Sequence, residues 1–481
     1  MKQLIATIIY VAVIIWLFHL DRDAKVRTSR ALWIPVIWLL IIGSRPVSMW
    51  LHVGPAISRA EVYTEGSPID ATVFGILIAA GLVVLSLRSR QVGRFLWANL
   101  PLVLFFAYCA LSIAWSDYSF VALKRWIKAV GDLVMVLVVL TDPNPLAATR
   151  RFFSRAGFVL LPLSVLFIKY YPSIGRSFSK DWMPTYGGVT TQKNSLGMIC
   201  LVCGLGSLWA FIGAYRDRTT SHRVRHLAAH GIIVAVAIWL FITSNSMTAL
   251  SCFVMAGTVM VMTMWRYFIK RPLAVHAIVG GCVFLSLFAL FFDTSGMLVH
   301  TLGRNTNLTG RTDIWKAVLS MHTNPLVGTG FESFWMGRRL ERVDEILKDS
   351  IQEAHNGYLE LYLNLGWIGL VLLAGVIVTG YRNVLAVFRR DPDAGRIRLA
   401  LFTAGVIYSF SEAGFRMMSP IWIAFLLAVT FVPPGLQQQR RRRASQILVN
   451  GHLSRKETGT PQEAAMPSTV RESTIRSMYG N

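Results

Sequence analysis

The chain has 481 residues, of which 54% are hydrophobic and only 15% are charged. Soluble domains carry roughly 25% charged residues, so this composition excludes an ordinary soluble globular protein and indicates a polytopic membrane protein. The net charge of +23 would suit nucleic-acid binding, but most basic residues lie in alternate connections between apolar runs, which argues against that function.

About thirteen apolar runs are candidate spanning helices, since a span needs about 20 mostly apolar residues. They predict an all-α bundle over residues 1–434 with about 12–13 transmembrane helices. The first run ends at Asp21-Arg22-Asp23 without a small-residue cleavage pattern, which indicates an uncleaved span rather than a signal peptide. In chain order the candidates are 3–20, 31–50, 71–87, 95–114, 120–141, 156–171, 195–214, 229–243, 248–265, 273–292, 363–381, 399–415 and 418–434.

Basic residues sort between the two sides of the predicted bundle. Most lysines and arginines lie in alternate connections, at 21–30, 88–94, 142–155, 216–228, 266–272 and 382–398, and in the tail at 435–481. This positive-inside pattern predicts that the N-terminus and the polar segment 293–362 lie outside and the tail lies inside, although Lys2 on the outer side departs from it. The tail contains Arg440–Arg443 and no apolar periodicity, so we expect it to be disordered and cytoplasmic.

The cysteines all lie within predicted spans. Two of them have the Cys-x-x-Cys spacing of redox or metal pairs. Within an apolar helix we interpret these two as small packing residues. The five cysteines are Cys109, Cys200, Cys203, Cys252 and Cys282.

Residues 293–362 form the longest polar segment between apolar runs, and we call this segment the large loop. Three short helices are predicted in it: one over 311–321, one over 342–351, and one that begins near Glu353 and continues into the next span. Asn324-Pro325 ends the first helix, and Gly328-Thr329-Gly330 makes a turn. The apolar positions of the first helix recur at helical spacing and are Ile314, Trp315, Val318 and Met321.

His355 is the candidate catalytic residue of the large loop. On a continuous helix it would share one face with Tyr358, Leu359 and Tyr362, about two turns above the hydrocarbon. Imidazole suits general-base work near neutral pH. The alternative is an interfacial histidine that only forms a hydrogen bond to a nearby loop.

Outward lysines and arginines are unexpected under the positive-inside pattern, so each is a candidate ligand for an anion. Guanidinium groups bind diphosphate with two-pronged geometry, and a basic outward cavity therefore predicts a lipid diphosphate substrate. The alternative is that these cations pair with acids or lipid phosphates, and Glu412 with Arg416, four residues apart, is the candidate structural ion pair. The candidate ligands are Lys124, Arg125, Lys128, Arg176, Lys180, Lys193, Arg311 and Arg416.

Several segments stand in an order and spacing that resemble the O-antigen ligase and polymerase superfamily. From the large loop onward these segments are Gly310–Trp315, Asn324–Gly330, His355–Leu359 and Gly366–Gly369. Trp115-Ser116-Asp117, Lys124-Arg125 and Thr191–Gly197 are also similar to that group, and with Gly66–Asp70 they favour its bacterial exopolysaccharide polymerase branch. The resemblance covers roughly residues 60–430.

The resemblance implies a helical, metal-independent glycosyltransferase of GT-C-like architecture, without a cofactor, in the bacterial inner membrane with its large loop in the periplasm. Its donor would be a glycan on undecaprenyl diphosphate. Carried over by motif, His355 would activate the acceptor hydroxyl and Arg311 would contact the diphosphate, while Arg125 and Lys193 match less distinctive motifs. The implied partners are a glycan acceptor, membrane lipids and other polysaccharide-assembly proteins, and not nucleic acid.

The sequence therefore predicts an inverting polymerase that joins lipid-linked repeat units into a polysaccharide. Two alternatives stay open: an O-antigen ligase that passes the glycan to lipid A core, and a transporter that flips lipid-linked sugars or exports polymer. Transporters often show repeats with interrupted helices in matching halves. No clear internal repeat is seen in this sequence, which favours an enzyme.

Overall fold

Helices make up nearly all the regular structure of the chain. The computed structural model describes residues 1–23, 26–52, 66–178, 182–217, 222–292, 308–348, 351–431 and 433. Lys180, residues 293–307 of the large loop and the predicted disordered tail at 435–481 lie outside this part. By internal contacts the chain divides into Met1–Val432 and Pro433–Asn481, and the fold is that of the first unit.

Nineteen α-helices are described, together with one antiparallel pair of short strands, β1 (Arg176–Phe178) and β2 (Pro184–Tyr186), in which Arg176 lies opposite Tyr186. The first ten helices are α1 Lys2–Leu20, α2 Trp33–Ile42, α3 Val47–Trp50, α4 Pro68–Ser86, α5 Ser89–Ala98, α6 Leu100–Leu111, α7 Ser119–Leu140, α8 Pro145–Tyr170, α9 Pro172–Gly175 and α10 Lys193–Arg216. The others are α11 Arg223–Ser244, α12 Met247–Met262, α13 Arg266–Lys270, α14 Pro272–Phe292, α15 Leu308–Leu319, α16 Arg338–Leu347, α17 Gly357–Arg390, α18 Pro392–Tyr408 and α19 Pro420–Val429.

The predicted all-α polytopic membrane fold is confirmed. Among the described residues, seven helices are long and apolar enough to cross a membrane, and an eighth crossing results if a pair bent by 90° is counted as one span. The count is lower than the thirteen predicted runs because the others form short helices or carry several charges. For example, α12 has only 16 residues, and α19 has 10, all of them buried.

The 90° bend lies between α5 and α6, where Asn99 precedes Leu100-Pro101. Pro101 has no backbone N–H to continue the hydrogen-bond ladder of the helix. The Asn99 side chain forms hydrogen bonds with two other backbone groups instead. Its Nδ2 donates to the carbonyl of Phe95 at 2.6 Å, and its Oδ1 accepts from the N–H of Phe431 at 2.7 Å. The bend therefore joins the start of α6 to the end of α19.

A break in α17 at Gly366 explains why the sequence motif at 324–330 packs against the motif at 366–369. Gly366 lies inside α17 with φ 63°, a backbone conformation that residues with a side chain rarely adopt. The interruption leaves the Trp367 N–H to donate to the carbonyl of Pro325 at 2.9 Å, and the Gly330 N–H donates to the carbonyl of Asn364 at 2.9 Å. The turn at 324–330 is thus held against the broken part of α17.

The described part of the large loop has an apolar core of its own. Two of the helical positions predicted in 311–321, Ile314 and Val318, are buried, and Trp315 and Met321 pack against them. The predicted second helix is α16, which begins and ends four residues earlier than expected. The remaining core residues are Phe334, Trp335, Leu340, Val343, Ala354 and Leu363, so the loop packs directly on the start of α17.

Candidate active site

The carboxylate of Glu412 is the centre of a polar network at one end of the bundle. Its side chain is 6% exposed, and it lies in the link between α18 and α19. Oε1 accepts from Nη2 of Arg311 at 3.0 Å, and Oε2 accepts from Nδ1 of His355 at 3.2 Å. The Nδ2 of Asn194, near the start of α10, lies 3.2 and 3.3 Å from the two oxygens. One carboxylate therefore joins the predicted base to the predicted diphosphate ligand.

His355 precedes α17 instead of lying on it. It has φ 48°, and the next residue, Asn356, caps the helix by accepting from the N–H groups of Tyr358 and Leu359, both at 3.0 Å. The prediction of one continuous helical face with Tyr358, Leu359 and Tyr362 is therefore wrong. The left-handed backbone of His355 turns its side chain toward the link between α18 and α19.

The contacts of His355 determine which ring nitrogen carries the proton. Nδ1 lies 3.2 Å from Oε1 of Glu353 and 3.2 Å from Oε2 of Glu412. Ionised carboxylates only accept hydrogen bonds, so Nδ1 is the protonated nitrogen of the neutral ring. Among the described residues, Nε2 makes no hydrogen bond, which leaves its lone pair for a substrate proton.

The pKa of His355 is raised above its ordinary value. Burial of the ring opposes its protonation, but the hydrogen bond to Glu412 and the charges of Glu353 and Glu412 outweigh burial and the nearby Arg311. The acidic neighbours thus stabilise the imidazolium form, which a general base becomes when it takes a proton.

A second group of charged side chains adjoins the first. Arg416 Nε lies 3.2 Å from Oε2 of Glu332, and its Nη1 lies 3.9 Å from Oε2 of Glu353. Arg125, which is buried on α7, donates to the carbonyl of Glu332. The predicted Glu412–Arg416 ion pair is wrong, because residues 409–419 are not a continuous helix and Glu412 pairs with Arg311 instead.

Cavities open on both sides of this network. One of about 220 Å³ is lined by Arg311 together with Thr248, Ser251 and Ser286 from α12 and α14. The other, of about 270 Å³, has Glu353 and Arg416 in its wall, with Thr190, Ser195 and Ser419. Glu412 connects the two, because it holds Arg311 directly and reaches Glu353 through His355. Charged and hydroxyl groups in both walls suit polar ligands such as phosphates and sugars.

The structure thus brings His355, Arg311, Arg416 and Arg125 into one network, and it gives the other predicted cations different surroundings. Lys124 and Lys128 lie over the rings of Phe120 and Phe74, at 5.0 and 5.9 Å from the centroids. Arg176 donates from Nε to the carbonyl of Ile168 at 2.8 Å and lies over the ring of Tyr186. Lys193 is exposed at the first position of α10. A role in substrate binding stays a prediction for all of these residues.

Sequence reasoning missed four members of the network as site residues: Glu332, Glu353, Glu412 and Asn194. Glu353 is two residues before His355, and Asn194 stands within the motif at 191–197, so both had a local signal. Glu332 had none, and the signal at Glu412 was its four-residue spacing from Arg416, which predicted a different partner.

Glu353, His355 and Glu412 could also hold a metal ion, since their ligand atoms lie within 4.8 Å of one another. Both carboxylates already face a guanidinium group, Glu412 that of Arg311 and Glu353 that of Arg416. These groups supply the positive charge that a cation would add. Metal independence stays a prediction from the sequence.

Residues 231–374 match the family model described as O-Antigen ligase. This range runs from α11 into α17 and includes Arg311 and His355. The chain resembles the O-antigen ligase superfamily, as the motifs predicted. It is also 25% identical over 427 residues to the Exopolysaccharide production protein ExoQ of Rhizobium meliloti (strain 1021), a match that covers 82% of this chain and 94% of that relative. Glu412 lies outside the range of the family model, but its side chain contacts Arg311 and His355, which lie within that range.

Proposed function

We propose that this chain is a membrane glycosyltransferase that polymerises lipid-diphosphate-linked oligosaccharide repeat units into an exopolysaccharide or O-antigen-type polymer. The similarities to O-antigen ligase and to an exopolysaccharide production protein support the class of reaction. The observation that carries the proposal is the Glu412 carboxylate, which binds the predicted base through one oxygen and the predicted diphosphate ligand through the other.

In the proposed reaction an acceptor sugar hydroxyl attacks the anomeric carbon of the donor glycan. His355 takes the hydroxyl proton at Nε2 while Nδ1–H stays on Glu412 and Glu353. The new glycosidic C–O bond forms as the anomeric C–O bond to diphosphate breaks, and the bonding electrons leave with the diphosphate. Attack from the side opposite the leaving group inverts the anomeric centre.

Arg311 is proposed to stabilise the negative charge that develops on the departing diphosphate. A guanidinium group has five N–H donors in a planar fork, so Arg311 can keep its bond to Glu412 and still present N–H groups to a phosphate oxygen. The cavity beside it, between α12, α14 and α18, is a suitable place for the diphosphate. Arg125 and Lys193 are proposed as weaker contributors, and Arg416 as a ligand on the side of the second cavity.

We further propose undecaprenyl diphosphate as the lipid carrier and the periplasmic face of the inner membrane as the place of reaction. The positive-inside distribution of basic residues supports the orientation. A donor that is already activated by its lipid needs no nucleotide at that face.

The proposed function can be tested with purified protein in detergent and synthetic single repeat units on the lipid diphosphate. We expect wild-type protein to produce longer lipid-linked chains, and His355→Ala to produce none above background at equal protein level. His322→Ala, which replaces an exposed histidine of the same loop, is the matched control and should be fully active. Normal chain growth by His355→Ala would refute the proposed base.

Ligation is the second candidate function, because the matching family model is described as O-Antigen ligase. The same purified protein should then transfer the glycan to lipid A core and not extend the repeat unit. A deletion strain distinguishes the two reactions as well. Loss of a polymerase leaves single repeat units on the lipid, whereas loss of a ligase leaves completed polymer on it.

A further inference from the structure

A second cluster of potential ligands lies at the other end of α11 from the Glu412 network. Oδ1 of Asp21, the residue that follows α1, lies 3.1 Å from Nδ1 of His226 and 3.0 Å from Nε2 of His230. Ser246, beyond the other end of α11, packs beside Gly197 near the start of α10, the helix that supplies Asn194. At 1.5 Å per residue, His230 lies roughly 24 Å along the helix from Ser246.

The spacing of the two histidines suits joint coordination of one ion. His226 and His230 are four residues apart on α11, so both rings lie on the same face of the helix, an arrangement that metal-binding helices use. The three ligand atoms all lie within 4.8 Å of one another. Bonds of 2.0–2.2 Å to a tetrahedral ion would place ligand atoms roughly 3.3–3.5 Å apart, so the observed 3.0 and 3.1 Å separations need to widen by only a few tenths of an ångström.

Both imidazoles face the same oxygen of Asp21. The Asp21 carboxylate makes its described polar contacts with the two imidazoles. His230 is 1% exposed, and Nδ1 has no hydrogen-bond partner among the residues that the structure describes. His230 therefore makes its described polar contact through Nε2, the ring nitrogen that faces Asp21.

A cavity of about 290 Å³ opens on the cluster and gives room for a further ligand such as water. Asp21, His226 and His230 all line it. The three arginines in its wall are engaged elsewhere. Arg150 lies 3.6 Å from Oδ2 of Asp393 and over the ring of Trp209. Arg151 donates to Thr28 Oγ1 at 2.8 Å and to the carbonyl of Asp23, and Arg223 donates to backbone carbonyls at the end of α10. Their guanidinium groups therefore do not occupy the position between the three ligand atoms.

We propose that Asp21, His226 and His230 form a binding site for one divalent transition-metal ion of the zinc class. Two imidazoles and one carboxylate are ligands that such ions favour over oxygen-only sites. The site is separate from the proposed glycosyl-transfer centre, whose metal independence it does not affect. The cluster at Glu353, His355 and Glu412 suits an added cation less well, because both of its carboxylates already face arginines.

The ion would hold α1 against α11. Only Ala6, Leu17 and Leu20 of α1 are buried, so most of this helix faces away from the rest of the bundle. Arg225 at the start of α11 donates to the carbonyl of His19. Coordination would strengthen the neighbouring connection that Asp21 makes to His226 and His230. Coordination joins residues about 205 positions apart in the chain.

The test uses the full chain, purified in detergent and freed of metal by a chelator that is then removed. Zn²⁺ content and affinity are measured by calorimetry, and Co²⁺ serves as the spectroscopic probe of nitrogen and oxygen ligation. We expect one ion per chain, a higher Tm with Zn²⁺, and an affinity that falls by more than about tenfold in Asp21→Asn and in His226→Ala. Asp21→Asn keeps the side-chain volume, so it separates loss of a ligand from loss of folding.

Two further variants serve as controls. His276→Ala removes a histidine that pairs with Tyr381 on other helices and should leave Zn²⁺ binding unchanged. Glu353→Gln alters the second cluster and should also leave it unchanged. The proposal is overturned if the wild-type chain binds no Zn²⁺, if Asp21→Asn and His226→Ala bind it as tightly as wild type, or if Glu353→Gln alone abolishes binding.

Discussion

Replacing Glu412 with glutamine removes the charge that connects His355 to Arg311 while it keeps the volume of the side chain. Glutamine retains one oxygen acceptor where the carboxylate offers two, and Arg311, His355 and Asn194 all donate to this group. At least one charge-assisted hydrogen bond is therefore lost. The consequence should appear in three separate measurements: the rate, its pH dependence and the stability.

The size of the effect follows from the hydrogen bond to His355. Such a bond to a charged group contributes roughly 1.5–3 kcal/mol. If that support is lost in the transition state, where the imidazole becomes imidazolium, kcat/KM falls about 10- to 150-fold. The free energy of unfolding should fall by about 1.5–3 kcal/mol as well, since the carboxylate is buried.

The pH dependence gives a signature that misfolding does not produce. His355 acts as a base only when neutral, so activity rises as the pH increases through its raised pKa. Without Glu412, burial of the ring and Arg311 oppose protonation against Glu353 alone, and the pKa falls. The acid limb of the profile in Glu412→Gln should therefore move to lower pH while the plateau falls.

The assay is chain extension of lipid-linked repeat units by purified protein, with kcat/KM measured across the pH range and folding checked by size exclusion and Tm. Glu341→Gln, in which an exposed glutamate of α16 is changed in the same way, should match wild type in every measurement. An unchanged acid limb in a well-folded Glu412→Gln protein would refute the assignment of His355 as the base that Glu412 supports.

Three other substitutions have defined outcomes. His355→Ala should lower turnover by about 10²–10⁴-fold, the usual contribution of a general base, and should lower Tm as well because Glu412 loses a hydrogen-bond donor; a small loss of rate would contradict the assignment. Arg311→Lys keeps the charge but loses the fork, and we expect at least about a tenfold rise in KM for the lipid donor. Arg338→Lys, at an exposed position of α16, should leave this KM unchanged. Gly366→Ala should destabilise the protein by about 1–3 kcal/mol from its backbone conformation alone, and more because its Cβ would overlap the neighbouring turn. Gly375→Ala in the same helix meets open space and should stabilise it by about 0.5–1 kcal/mol; equal Tm values for the two glycine variants would contradict this reasoning.

Features that depend on local spacing could be predicted from the sequence. The helical spacing of Ile314 and Val318 identified the buried face of α15, and Asn324-Pro325 with the following glycines identified a turn. Both follow from constraints that act within a few residues, namely the period of the helix and the conformations open to glycine and proline. The membrane fold class was equally accessible, because apolar composition acts over every span.

The centre of the candidate site was not accessible in this way. Arg311 and Glu412 are 101 positions apart, so their contact depends on how α15 packs against the link after α18. The pairing of Glu412 with Arg416 followed from the i,i+4 rule, which applies only where the backbone is helical. The composition of residues 409–419 gives no sign that the helix is interrupted there. The left-handed backbone of His355 was hidden for the same reason, since a histidine before an asparagine cap gives no sequence signal for positive φ.

The balance of charge in the network bears on how a polymerase could turn over. Arg125, Arg311 and Arg416 face the carboxyl or carbonyl oxygens of Glu332, Glu353 and Glu412. Under the proposed function, diphosphate binds to Arg311 and Arg416 while these guanidinium groups already face carboxylates, and the negative charge of the carboxylates opposes its binding. Arginines without such partners would bind the donor and the released lipid diphosphate alike, and tight binding of both states does not speed the chemical step. Acids beside the guanidinium groups weaken both complexes by charge repulsion, so they favour release of the product, while Glu412 still supports His355. Glu412→Gln should accordingly bind the released lipid diphosphate more tightly than wild type even though it turns over more slowly.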